Sequence, residues 1–317
     1  MQLLLLHLDD ALELQPDFVG AALEAGAHEV SEKAIGSHLR LWARRQVLDE
    51  LSRRLVRATS RKAAQPRLCF LGSGDFHHVT VLLLEQALER AKKPVTVIHI
   101  DNHPDWVCFD AGIHCGSWVN KALDNQLVRK VITLGVCSSD LASPERKGAN
   151  LELLRSQKLE LFPYSHPPSR VRGKYGSGPG FDQLGADLHW HSILQMGDKN
   201  FIDRLLDRID TDDVYITIDK DALCRDDAVT NWDQGKLRLD YVLSLLSEIG
   251  FCHRIIGADV TGDYSVPHYG GSLLTQAFKR AEILIDQPRL KHDRQSVREI
   301  NTAANQALLE SLMGLMS

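Results

Sequence analysis

The sequence predicts an α/β fold, a mainly parallel sheet covered by helices on both faces, in three layers. Three observations predict it. Short β-branched runs alternate with longer stretches of helical periodicity. Runs such as Val95-Thr96-Val97-Ile98-His99-Ile100 and Val214-Tyr215-Ile216-Thr217-Ile218 are apolar almost throughout, as strands buried on both faces are. Three such runs also end in polar segments, and open parallel sheets bind ligands beyond the carboxyl ends of their strands.

Taken in order, the chain opens with Met1-Gln2-Leu3-Leu4-Leu5-Leu6-His7-Leu8, read as a strand or strand-like arm. It has no basic flank and is far too short for a membrane span, so it reads as neither signal peptide nor anchor. Ser37 is placed as the N-cap of a helix to about Thr59, with Leu39, Trp42, Ala43, Val47, Leu51 and Leu55 as its apolar stripe. Arg44, Arg45, Arg53 and Arg54 fall on its solvated face. Further strands are expected near Leu68, Val95, Val131, Leu159, Val214 and Arg254, with a helix over residues 79–90. From about 163 to 200 the pattern lapses into Pro167-Pro168 followed by Gly173, Gly176, Gly178 and Gly180. This reads as one long loop, of the kind that forms lids and binding loops. Near its end, His189-Trp190-His191 is a candidate substrate contact or a structural cluster. Ser272 caps a helix to about Ile285, and residues from about 290 to 317 read as an amphipathic helical tail. One α/β domain over residues 1–317 accommodates all of this.

Composition narrows the function. With 44% hydrophobic and 25% charged residues, the chain is ordinary for a soluble globular protein. Its net charge of −5 and lack of a basic block exclude nucleic acid as a partner, and the absence of a long apolar run excludes the membrane. The six cysteines are scattered, as reduced thiols in the cytoplasm are, and no Cys-x-x-Cys pair suggests structural zinc.

The chemistry lies at the strand ends. After the Val95 run comes Asp101-Asn102-His103-Pro104-Asp105. Side chains alternate in extended backbone, so Asp101, His103 and Asp105 start out on one side. After the Val214 run comes Asp219-Lys220-Asp221, again with two acids on one side. Buried paired carboxylates are costly unless something neutralises them. A third run, Leu68-Cys69-Phe70-Leu71, leads into Gly72-Ser73-Gly74-Asp75-Phe76-His77-His78. Together these segments can hold a pair of divalent metals that share acids.

These motifs resemble those of the arginase/agmatinase (ureohydrolase) superfamily, at motif level over residues 68–267. The family pattern is a Gly-Gly-Asp-His segment, then Asp-Ala-His-x-Asp, then Ser-x-Asp-x-Asp. Spacing matches closely in the second and third segments and loosely in the first. The resemblance implies an arginase-like fold and one metal held by His77 or His78, Asp101, Asp105 and Asp219, with His77 preferred. It implies a second metal held by Asp101, His103, Asp219 and Asp221, with Asp101 and Asp219 bridging. Ile113-His114-Cys115-Gly116 is similar to the segment carrying the family's proton-shuttling histidine, which makes His114 the candidate general acid/base. Ser138, Ser139 and Asp140 follow the run resembling the family's middle strand and are candidate substrate contacts. Ureohydrolases are commonly oligomers, so the resemblance admits a homo-oligomer without fixing a subunit number.

The departures bear on the substrate. Val107 stands where arginase holds the amino-acid end of its substrate, and Cys224-Arg225 replace an Asp-Pro. Gly262 falls where the family places the glutamate that contacts guanidinium, and Asp263, one residue later, is the candidate to replace it. The expected activity is therefore that of a divergent branch, not a standard arginase. Hydroxide bridging two divalent ions, Mn²⁺ or else Fe²⁺, Co²⁺ or Zn²⁺, would hydrolyse a non-peptide C–N bond in a small guanidino, amidino or amide compound. Two alternatives stand beside it. A mononuclear zinc deacetylase-like amidohydrolase is suggested by His77-His78 and by Gly257-Ala258-Asp259. A non-catalytic binding protein that kept the fold is suggested by the altered pocket positions.

Overall fold

A computed structural model describes residues 1–59, 65–288 and 293–316. Eight strands form the central sheet: β1 Gln2–His7, β2 His28–Ser31, β3 Arg67–Gly72, β4 Val95–Ile100, β5 Val128–Leu134, β6 Leu159–Phe162, β7 Asp213–Asp219 and β8 Arg254–Thr261. Their spatial order is β2-β1-β3-β8-β7-β4-β5-β6, with every neighbour parallel. The three motif-bearing strands β3, β7 and β4 therefore open on the same sheet edge, with β8 between β3 and β7.

Both faces are covered, as the unbroken apolar runs require. Helices α1 Pro16–Glu24, α2 Lys33–Leu39, α3 Arg45–Thr59, α4 Thr80–Ala91, α5 Trp118–Leu123, α6 Asp198–Arg208, α7 Leu239–Cys252, α8 Leu273–Asp286 and α9 Arg294–Met316 supply most of the cover. Strand residues alternate between two cores. Val95, Val97 and Val131 pack with Leu48, Leu51 and Leu55 of α3 and with α4 and α5. Ile98, Ile100 and Ile132 pack with α1, α6, α7 and α9 on the other face. No helix among the described residues is long and apolar enough to cross a membrane.

Two expectations are corrected. The helix expected from Ser37 to Thr59 is split, because α2 ends at Leu39 and Trp42–Ala43 pairs as a short strand with Ile113–His114. The cause is Arg40, whose buried guanidinium binds Asp9, Asp75 and Ser265 and pulls the chain out of the helix, leaving Leu41 at φ 66°. The hydroxyl of Ser37 accordingly donates to the Ala34 carbonyl and caps nothing. The long loop at 163–200 instead folds. Ser169–Arg170, Ser177–Gly178, Phe181–Leu184 and Asp187–Trp190 make a four-stranded antiparallel sheet, followed by the helical turn Ile193–Met196. Gly180 lies so close to β6 that a Cβ there would stand 2.1 Å from the Leu161 carbonyl oxygen. Trp190 is buried and donates to Ser169, and His191 faces Asp182, so this cluster is structural and away from the metal-type motifs.

Helix α9 matches the helical tail expected from the sequence, with Val297, Ala304, Leu308, Leu312 and Met316 along its buried stripe. Helix α8, capped by the Ser272 hydroxyl as the sequence predicts, packs differently. Lys279 is its one buried residue, held over the Trp42 ring and donating to the His38 carbonyl.

Candidate metal centre

The end of β3 turns through Gly72, at φ 82°, into a short 3-10 helix over Gly74–Val79. A Cβ on Gly74 would stand 2.6 Å from Asp219 Oδ2, so only glycine lets this turn approach β7 so closely. The turn separates the two histidines. His77 Nδ1 lies 3.0 Å from Asp101 Oδ2, 3.2 Å from Asp105 Oδ2 and 3.7 Å from Asp219 Oδ2. His78 is equally buried but forms no ion pair among the described residues, and burial pushes its pKa well below the ordinary value.

At the end of β4 the period-two face carries four donors, not three. His99 Nε2 is 2.8 Å from Asp101 Oδ2, next to His77. His103 turns the other way, with Nδ1 2.9 Å from Asp221 Oδ2. Asp105, held at φ 49°, accepts from the Trp118 indole at 2.6 Å. Asp219 and Asp221 close the crevice from β7, where the Asp221 amide donates to Asp219 and the Asn102 amide donates to Asp221.

Two groups of donor atoms result, His77, His99, Asp101 and Asp105 in one and Asp101, His103 and Asp221 in the other. Asp101 is common to both, and Asp219 stands beside the first at the distance already given. Each imidazole is steered by its other nitrogen, as ligating imidazoles are. His77 Nε2 meets Thr217, which donates to Asp259; His99 Nδ1 meets Thr133; His103 Nε2 meets Asp233. The residues present thus fit divalent ions in donor type, spacing and support.

The electrostatics agree. Burial pushes Asp219 up to about 7, with the neighbouring Asp101 charge adding to the effect. Burial and the charges of Asp101 and Asp219 likewise raise Asp221 well above the usual carboxylate range. Burial works against a charged His103, yet Asp221, Asp101 and Asp233 together raise it well above an ordinary histidine. This is a set of acids crowded closely enough to need cations.

His77, Asp101, His103, Asp105, Asp219 and Asp221 line a cavity of about 600 Å³, with His99 buried behind them. His114 also lines it; its Nδ1 accepts the Gly116 amide at 2.8 Å, which places the proton on Nε2, and Nε2 faces Glu282 of α8. Ser138, Ser139 and Asp140 are on the wall, as are Glu282 and Asp286 from α8. Asp263 is not. It is buried against Lys220 and Asn305, which corrects its assignment as a catalytic residue in the crevice. Gly262 is the physical reason: at φ 98° it turns the chain sharply, and a Cβ there would stand 2.4 Å from Asp219 Oδ1. The glutamate position cannot carry a side chain in this protein, and the next residue points elsewhere. Asp259 is also outside both donor groups, bonded instead to Thr80, Thr217 and Tyr215.

Sequence reasoning missed His99, Trp118, Asp233 and Glu282. Extending the alternation of Asp101, His103 and Asp105 two residues backward finds His99. The other three come from distant segments and carry no local signal.

An eight-stranded parallel α/β sheet with a shared-acid cluster of donors at its strand ends defines the class, an arginase-like fold with a metal-type crevice. Comparison with known proteins agrees. The Arginase family model matches residues 26–165. Proclavaminate amidino hydrolase from Streptomyces clavuligerus superposes with a TM-score of 0.60 at 14% identity, covering 100% of this chain and 93% of that one. Arginase from Bacillus cereus superposes at 0.59 and 17% identity, covering 99% and 98%. Formimidoylglutamase from Bacillus subtilis superposes at 0.59 and 14% identity, covering 99% and 86%. An uncharacterised protein of Thermotoga maritima is 26% identical over 195 residues, which is 61% of this chain and 57% of that relative's length.

Proposed function

We propose that this protein is a metal-dependent hydrolase of a non-peptide C–N bond in a small guanidino, amidino or related cationic compound, and not a standard arginase. The observation that carries the reading is the pair of donor groups sharing Asp101 at the floor of the cavity. His77, Asp101 and Asp105, with Asp219, would hold one divalent ion; Asp101, His103 and Asp221, with Asp219, would hold another. The oxygen-rich set suits Mn²⁺, with Fe²⁺, Co²⁺ or Zn²⁺ as substitutes. Ions so held lower the pKa of bound water and polarise the bond under attack.

The chain's own groups do the rest. Asp140, Glu282 and Asp286 give the mouth an acidic wall that favours a cationic substrate, and Lys147 bridges Asp140 and Asp286 at 3.3 and 3.8 Å. Glu282 stands in for the missing family glutamate as the carboxylate nearest His114. Water adds to the trigonal carbon, His114 gives its Nε2 proton to the departing nitrogen as the C–N bond breaks, and the proton shed by the water returns to His114. The six cysteines are free, which fits a reducing compartment such as the cytoplasm.

The test is metal stoichiometry by mass spectrometry on Mn²⁺-reconstituted, desalted protein beside Asp221→Ala, followed by a screen of guanidino and amidino compounds. Near two ions per chain, falling in the variant, supports the reading. One ion indifferent to Asp221 points to a mononuclear site, and no bound ion in folded protein leaves a non-catalytic descendant.

A further inference from the structure

We infer that His99 is itself a metal ligand and that it makes the two ion positions chemically unlike. The inference rests on the metal-dependent reading above and concerns a residue that lies outside the Asp-x-His-x-Asp motif.

Geometry comes first. His99 Nε2 lies 2.8 Å from Asp101 Oδ2 and 3.7 Å from Asp105 Oδ2, while His77 Nδ1 lies 3.0 and 3.2 Å from the same two oxygens. Nitrogen and oxygen donors at about 2.0–2.2 Å from an ion stand about 2.8–3.6 Å from their neighbours, from octahedral to tetrahedral geometry. The four atoms, all within 4.8 Å of each other, are spaced as the corners of one coordination shell.

Orientation agrees. The Nδ1 of His99 is engaged by Thr133 Oγ1 at 3.0 Å, so the ring is fixed with Nε2 toward the acids. His77 and His103 are held the same way through their outer nitrogens. Burial is the third point. His99 is fully buried on the strand face that Val95 and Val97 give to the apolar core, and its ring meets Trp118 at 5.0 Å and His77 at 5.1 Å. An imidazole buried there needs partners for both nitrogens, and it has them in Thr133 and the Asp101 carboxylate, which hold Nε2 among the acids.

The first position then offers two imidazoles with Asp101 and Asp105. The second offers one imidazole with Asp101 and Asp221. Imidazole suits zinc and iron, whereas carboxylate suits manganese. Given one equivalent of zinc, the protein should place it in the first position, leaving the second for a harder ion such as Mn²⁺.

X-ray absorption at the zinc edge, on full-length protein loaded with one equivalent of Zn²⁺, counts the imidazoles on the ion directly. Two per zinc in the wild type, falling to one in His99→Gln, is the expected result. One per zinc in the wild type overturns the inference and leaves His99 as a hydrogen-bond donor to Asp101; the metal-dependent reading survives. A wild type that binds no zinc or manganese sinks both. Should His99→Gln not fold, as judged by circular dichroism, Thr133→Val frees the ring without deleting it. It should weaken zinc binding by about 10–100-fold, and undiminished affinity there argues against the inference.

Discussion

Gly262 offers the sharpest test of how this site is built. In Gly262→Ala the new Cβ would stand 2.4 Å from Asp219 Oδ1 and 2.5 Å from the Lys220 nitrogen, on a backbone held at φ 98°. Two costs follow. The left-handed conformation costs an L-residue about 1–2 kcal/mol. Forcing packed neighbours aside adds about 1–3 kcal/mol. The sum, about 2–5 kcal/mol, is a large fraction of a typical folding free energy of about 5–15 kcal/mol. The displaced atom belongs to Asp219, so ion content should fall together with stability. Gly74→Ala presses on the same carboxylate from the other side, at 2.6 Å from Oδ2. Its backbone carries no positive-φ penalty, so its loss should be the smaller. Urea unfolding and metal content by mass spectrometry, measured on both variants, give the comparison. A Gly262→Ala protein within about 1 kcal/mol of wild type that keeps its full ion content would refute this account of the glycine.

Other expectations concern charge. Metal-free protein should lose stability as pH rises. Asp219 is pushed up from an ordinary 3.8 to about 7, so proton binding favours the folded state. That contribution is complete below about pH 4 and is lost through about pH 7, worth about 4 kcal/mol. The raised His77 and His103 act in the same direction above about pH 6.5, and the lowered Asp101 acts in the opposite sense only below about pH 4. Urea midpoints of chelator-treated protein should fall across this window and flatten on adding metal; a rising midpoint contradicts the assignment. His114→Ala should lower kcat on a cationic C–N substrate by about 10²–10⁴ while leaving ion content intact, and an unchanged kcat would place the proton donor elsewhere. Lys220→Met strands Asp263 in the interior and should cost about 3–5 kcal/mol. Adding Asp263→Asn should recover part of that loss in the same unfolding assay, and no recovery would mean the pair is not coupled.

The sheet and most of the crevice were legible in the sequence because strand chemistry is local. Period-two alternation puts Asp101, His103 and Asp105 on one side whatever the rest of the chain does, and the same rule reaches back to His99. The choice between His77 and His78 was less legible, since it depends on a 3-10 turn whose tightness is set by Gly74 meeting Asp219. Asp263 misled because closeness in sequence to the glutamate position says nothing about direction after a positive-φ glycine. Residues 163–200 hid a small sheet because its strands are two to four residues long and bury few side chains. Glu282 gave no signal, being an ordinary acid on a helix until α8 lies across the crevice mouth.

The contact between Asn305 and the Lys220–Asp263 pair has a bearing on biosynthesis. Lys220 sits between Asp219 and Asp221 but points backward, where Asp263 and Asn305 of α9 are its partners. All candidate ligands have been made by Asp221, yet the last of these partners is synthesised only with α9. A nascent chain that has not reached residue 305 lacks a group that holds this ammonium in place behind the acids. Synthesis of α9, and not emergence of the ligands, is then the step that completes the support behind the crevice, and a chain cut short before α9 should be a poor metal binder despite carrying every candidate ligand.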